Sequence, residues 1–122
     1  MFRELTIGDY IFVNGNVTQI TAINSLSKTI SFVDTETNEE VVMRFNDEEM
    51  KPIPITKELL DKIGIENCFG NIDENTSISR IVRKVYDNWQ ITRYGWKMVE
   101  VRFVHELQNV IKVCRIEREI IL

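Results

Sequence analysis

The sequence predicts an α+β fold. Three observations carry that expectation. Short β-type runs separated by turn residues fill positions 9 to 45. One capped helical segment follows at 56 to 64. A second β-type stretch, from 78 to 103, then gives way directly to helical spacing.

The first run opens with D-Y-I-F-V, which leads into N-G-N. Asn and Gly accept positive φ, so this is a hairpin signal. V-T-Q-I-T-A-I follows, then S-L-S-K as a turn and T-I-S-F-V-D, with Ile30 and Phe32 on one face. The polar loop D-T-E-T-N-E-E precedes a fourth strand, E-V-V-M-R-F. Four short strands joined by tight turns suggest a strongly bent sheet of the SH3-like partial-barrel kind.

N-D-E-E-M-K-P-I-P-I-T breaks the strand pattern, because Pro52 and Pro54 favour an extended crossing segment. Thr56 caps a short helix, T-K-E-L-L-D-K-I-G, which ends at Gly64. E-N-C-F-G-N-I-D-E-N-T-S reads as a loop and as the boundary between a lobe at 1–66 and a lobe at 67–122, with one compact domain as the alternative.

From Ile78 strands return. I-S-R-I-V-R-K-V-Y is the first, with D-N as its turn. W-Q-I-T-R-Y places Trp89, Ile91 and Arg93 on one face. Gly95 turns the chain, and W-K-M-V-E-V-R-F places Trp96, Met98, Glu100 and Arg102 together. The expected result is a three-stranded antiparallel meander. A helix starting near Val104 packs on it through Leu107, Val110, Ile111 and Cys114. R-E-I-I-L closes the chain as a short strand or a tail.

Composition narrows the function. Hydrophobic residues make up 43% and charged residues 28%, the balance of a soluble globular protein. No apolar run approaches the ~20 residues of a membrane span. The first ten residues lack a basic-then-apolar leader, so a cytoplasmic location is expected. Residues 1 to 69 carry a net charge of −6 and residues 70 to 122 a net charge of +2. The acidic part opposes a general nucleic-acid coat, while the basic part allows a local anion site. Cys68 and Cys114 match no zinc-site spacing and read as free thiols. The acidic loops lack calcium-loop spacing, and H-E-L-Q-N lacks the second histidine of a zinc protease. No phosphate loop, dinucleotide fingerprint or nucleophile elbow occurs. We therefore expect no enzyme, no metal and no cofactor.

Three segments carry a resemblance: E-L-T-I-G-D-Y-I at 4–11, K-P-I-P-I-T-K-E-L-L at 51–60 and V-H-E-L-Q-N at 104–109. In this order they resemble a family of small uncharacterised proteins of gut Bacteroidota and their phages. The chain departs from that pattern after Asn109. It has N-V-I in place of N-L-Y, and V-C-R-I-E-R-E where a Gly turn is usual. The family has no assigned reaction, so the resemblance implies a phage-type context without a mechanism.

The group richest in binding chemistry is aromatic and basic. Trp89, Arg93, Tyr94, Trp96 and Arg102 fall within the meander, and His105, the single histidine, starts the last helix. Aromatic faces stack bases, and arginines grip phosphates with paired donors. The plainer alternative has the tryptophans filling a core and the cations facing water, with His105 structural. A helix start would otherwise suit His105 to a phosphate or carbonyl. The expected function is thus a non-enzymatic, self-associating binding protein, of anti-defence type, that sequesters a small nucleotide or blocks a host protein. A nucleic-acid-binding SH3-like module and a virion or structural interaction protein are the competing readings.

Overall fold

The computed structural model describes residues 5–45, 47–65, 69–81 and 88–122. It is an α+β structure with mostly antiparallel strands, in two compact units, Met1–Ile53 and Pro54–Leu122. The helix expected with the first lobe lies in the second unit.

In the first unit, β1 (Tyr10–Val13), β2 (Asn16–Asn24), β3 (Thr29–Val33) and β4 (Glu40–Arg44) follow one another as hairpins. Asn14 and Gly15 take φ of 50° and 81° at the first turn, the geometry that matches strand twist. β2 pairs with β1 through its first half and with β3 through its second. A bulge between Ile20 and Ala22 lets it bend at the changeover.

One strand was not expected. β5 (Met50–Lys51) pairs with β1, giving the order β4-β3-β2-β1-β5. N-D-E-E reads as a pattern break, yet residues 47–49 of it turn the chain back. The Asp47 carboxylate accepts from Glu49 N at 2.9 Å, and the Asp47 carbonyl accepts from Met50 N at 3.1 Å. Met50 then joins a core of Leu5, Ile11, Val13, Ile20, Ile30 and Phe32.

In the second unit, the Thr56 hydroxyl accepts from Leu59 N at 3.1 Å and caps α1 (Lys57–Lys62). β6 (Phe69–Asn71), β7 (Thr76–Ile81), β8 (Asn88–Arg93) and β9 (Trp96–Val101) form one sheet in chain order. The meander therefore gains a fourth strand from the segment read as a loop. Three residues, F-G-N, are too few to show alternation. The expected strand at 78–86 is described only to Ile81, and the D-N turn begins outside the described residues. Tyr94 and Gly95, with φ of 52° and 79°, close the β8–β9 hairpin.

α2 (Val104–Val113) starts where expected. Phe103 has no acceptor to cap it, so Glu106 does the work from inside the first turn. Its Oε1 accepts from Arg102 N at 3.0 Å and Phe103 N at 2.9 Å. Val104, Leu107, Val110 and Ile111 form the buried stripe. The last residues form no strand but a tail, in which Ile116 and Ile120 are buried.

Both helices end the same way. Gly64 N donates to Asp61 O and Ile65 N to Leu60 O; Arg115 N donates to Lys112 O and Ile116 N to Ile111 O. These are paired C-terminal closures with a left-handed residue and a buried apolar residue after it. The first uses Gly64 at φ 87°, the second Arg115 at φ 54°. The Gly turn that the sequence lacks is therefore made by an arginine, at a cost in backbone strain. Arg118 secures the tail by donating to Ile72 O at 3.1 Å and Ile63 O at 2.8 Å.

Two substitutions are expected to move stability in opposite directions. Arg115→Gly should stabilise by about 1 kcal/mol by relieving the left-handed strain. Gly64→Ala should destabilise by about 1–2 kcal/mol, because its φ is positive and a Cβ would lie 3.2 Å from Arg118 Nη2. Urea midpoints of the two variants check both.

Candidate functional site

The six residues of the aromatic and basic group do not form one site. Trp89 is fully buried, and its indole N–H donates to Ile55 O at 3.0 Å. His105 is 3% exposed and stacks on Phe103, with ring centroids 6.0 Å apart and planes 6° from parallel. Both are parts of a core.

Arg93, Tyr94 and Trp96 do come together, at the tip of the β8–β9 hairpin. Arg93 pairs with Trp96 across the strands. Tyr94 is 65% exposed and Trp96 79% exposed. The Arg93 guanidinium lies 5.1 Å from the centre of the Tyr94 ring, within cation–π range.

Arg102 stands apart. It lies six residues from Trp96, about 20 Å at strand rise. Its Nε donates to Asn88 Oδ1 at 3.2 Å, and Asn88 Nδ2 donates to Glu100 Oε2 at 3.1 Å. Simple alternation would have put Arg102 and Trp96 on one face. A bulge prevents this. Ile91 pairs with Val99 but Thr92 pairs with Lys97, so Met98 is the extra residue. Trp96 therefore shares a face with Val99 and Val101, opposite Lys97 and Glu100.

Arg93 is the residue whose surroundings the sequence did not disclose. Nη1 donates to Thr76 Oγ1 at 2.7 Å and lies 3.7 Å from Asp73 Oδ2. Nη2 reaches Cys114 O at 3.5 Å, the cap of α2, where a cation meets the negative end of the helix. A guanidinium held on three sides has little left to offer a phosphate. The N-I-D-E-N-T turn was the available signal, since Asp73 Oδ1 accepts from Asn75 N at 2.8 Å and so shapes it.

Desolvation would raise the Asp73 carboxyl. The Asn75 N–H, the Thr76 hydroxyl and N–H, and the Arg93 charge together outweigh it and hold the carboxyl below its ordinary value. Cys114 is a free, half-buried thiol lying 3.8 Å from Met98 Sδ, while Cys68 is outside the described residues. Among the described residues, no three His, Cys, Asp or Glu side chains gather as a metal site would need. None of the described helices is long and apolar enough to cross a membrane.

The first unit holds a cavity of about 520 Å³ that the sequence did not suggest. Phe32 and Val13 line it with Asn14, Asp34, Glu36 and Glu49, and no described Lys or Arg does. Three carboxylates disfavour a phosphate there.

Two outcomes follow. Trp89→Phe should cost about 2–3 kcal/mol by stranding the Ile55 carbonyl and shrinking a buried ring. Trp96→Ala should cost less than about 0.5 kcal/mol, as denaturant titration would show. Because the folded Asp73 value lies below the unfolded one, about 3.9, its contribution is present above that pH. It is lost as pH falls through the folded value. Asp73→Asn should flatten that part of the acid limb in urea midpoints taken from about pH 6 downward.

No protein-family model matches the chain, and neither a curated protein nor a solved structure matches it.

Proposed function

We propose that this is a non-enzymatic binding protein that engages a protein partner through the β8–β9 hairpin tip and the open edge of β9. The observation that carries the reading is the contrast between its two tryptophans. Trp89 is sealed in the core, whereas Trp96, at the other end of the same strand pair, is 79% exposed beside Tyr94. Met98, Val99 and Val113 are also exposed. Exposed aromatic and apolar groups on a rigid hairpin are the usual anchors of a protein interface.

Blocking a host protein, as a phage-type anti-defence protein in the bacterial cytoplasm would, fits this surface better than sequestering a nucleotide. Arg93 is already occupied, and the cavity of the first unit is lined by carboxylates. The order β4-β3-β2-β1-β5 and the bent β2 support reading the first unit as an SH3-like partial barrel. Such a barrel in a nucleic-acid-binding module would present cations, and this unit is acidic.

A photo-crosslinking residue at position 96, expressed in the host, tests the reading. Leu26, 96% exposed in the first unit, is the control position. A discrete protein adduct is expected from position 96 and not from 26, and Tyr94→Ala should weaken it about tenfold or more. A thermal shift with a small nucleotide that survives added salt and disappears in Trp96→Ala would overturn the protein-partner reading in favour of nucleotide capture.

A further inference from the structure

We propose that β9 pairs antiparallel with β9 of a second copy, with the two-fold axis passing between Met98 and Val99. This rests on reading the β9 edge as a protein-binding surface and assigns that edge to a second copy, leaving the hairpin tip at Tyr94 for the host protein.

β9 is an outer strand of its sheet, and along Trp96–Val101 no second described strand pairs with it besides β8, while Ile55 N and Pro54 meet the chain just beyond, at Arg102 and Phe103. Trp96, Lys97, Met98, Val99 and Glu100 are all exposed. An edge of this kind, with Trp, Met and Val in a row, is a template for another strand.

The bulge decides which register fits. In a regular strand, residues three apart point to opposite faces. Here Lys97 pairs with Thr92 and Glu100 pairs with Gln90, and Thr92 and Gln90 share a face of β8. Lys97 and Glu100 therefore share a face too, although three residues separate them. By the same shift, Trp96 and Val101 share the other face through Arg93 and Trp89.

A two-fold axis between Met98 and Val99 sets Lys97 against Glu100 of the second copy, twice, and Trp96 against Val101, twice. The two members of each of these pairs then share a side of the joined sheet, Lys97 and Glu100 on one, Trp96 and Val101 on the other. Sliding the strands by one residue sets Lys97 against Val99, which point to opposite faces, and the match is lost. Opposite charges and aromatic–β-branched pairs directly across strands are both stabilising contacts. The bulge thus makes the strand complementary to itself in one register. The product is a continuous sheet in which two four-stranded sheets meet edge to edge.

Sedimentation velocity on the full chain, over about a thousandfold range of concentration, tests the inference. A reversible shift from the 14.4 kDa monomer to a dimer is expected. K97E sets like charges across both ends and should weaken the dimer about tenfold. M98K sets two cations at the axis and should weaken it by at least as much. The double variant K97E/E100K should return affinity to within about threefold of the original. Circular dichroism on each variant checks that it is folded. A chain that stays monomeric throughout, or a dimer unmoved by both K97E and M98K, overturns the proposal. If the chain is monomeric but a different protein still crosslinks at position 96, the self-pairing falls and the binding-surface reading stands. If nothing crosslinks there, both fall.

Discussion

The indole N–H of Trp89 donates to the backbone carbonyl of Ile55, across 34 residues of sequence and away from water. Much of the second unit depends on that bond. Ile55 N donates in turn to Arg102 O, and Pro54 bridges to Phe103. The segment that follows the two prolines is thereby fixed against the end of β9. The two helices begin on either side of this junction, α1 just after Thr56 and α2 just after Phe103. A buried carbonyl without a partner costs about 1–3 kcal/mol. The bond therefore fixes where the segment lies, as well as adding stability.

The three sequence segments that stand out each have a local structural task. In T-I-G-D, Asp9 is buried and its carboxylate accepts from Thr6 N at 2.8 Å, while Gly8 takes φ 95° and donates to Ile20 O. P-I-P-I-T supplies the crossing segment and the cap of α1. In V-H-E-L-Q-N, Glu106 secures the backbone at the start of α2 and His105 packs on Phe103. None of these tasks requires a ligand. A motif can be distinctive because it makes a difficult turn or junction.

What the sequence disclosed follows from the range of the forces involved. The hairpin turn at Asn14-Gly15, the Thr56 cap, the Gly64 stop and the start of α2 are local, and each was legible. β5 and β6 were not. Both are very short: β5 exists only because the distant β1 offers its edge, and β6, though it pairs locally with β7, has too few residues to show alternation. The candidate site divided in the same manner. Alternation placed Arg93 with Trp89 correctly along β8, but one bulged residue at Met98 separated Trp96 from Arg102. Arg93 reads as a phosphate ligand in isolation. Thr76, Asp73 and the end of α2, brought to it by folding, give it a structural task instead.

The unequal burial of the two tryptophans has a spectroscopic consequence. Both lie in the second unit, and the first contains none. Indole emission therefore arises within residues 54–122 alone, as two populations. Trp89 emits from an apolar surrounding at shorter wavelength, and Trp96 emits from water at longer wavelength. Quenchers dissolved in the buffer reach the second and not the first. Emission therefore follows side chains of the second unit, whereas circular dichroism sums over both units.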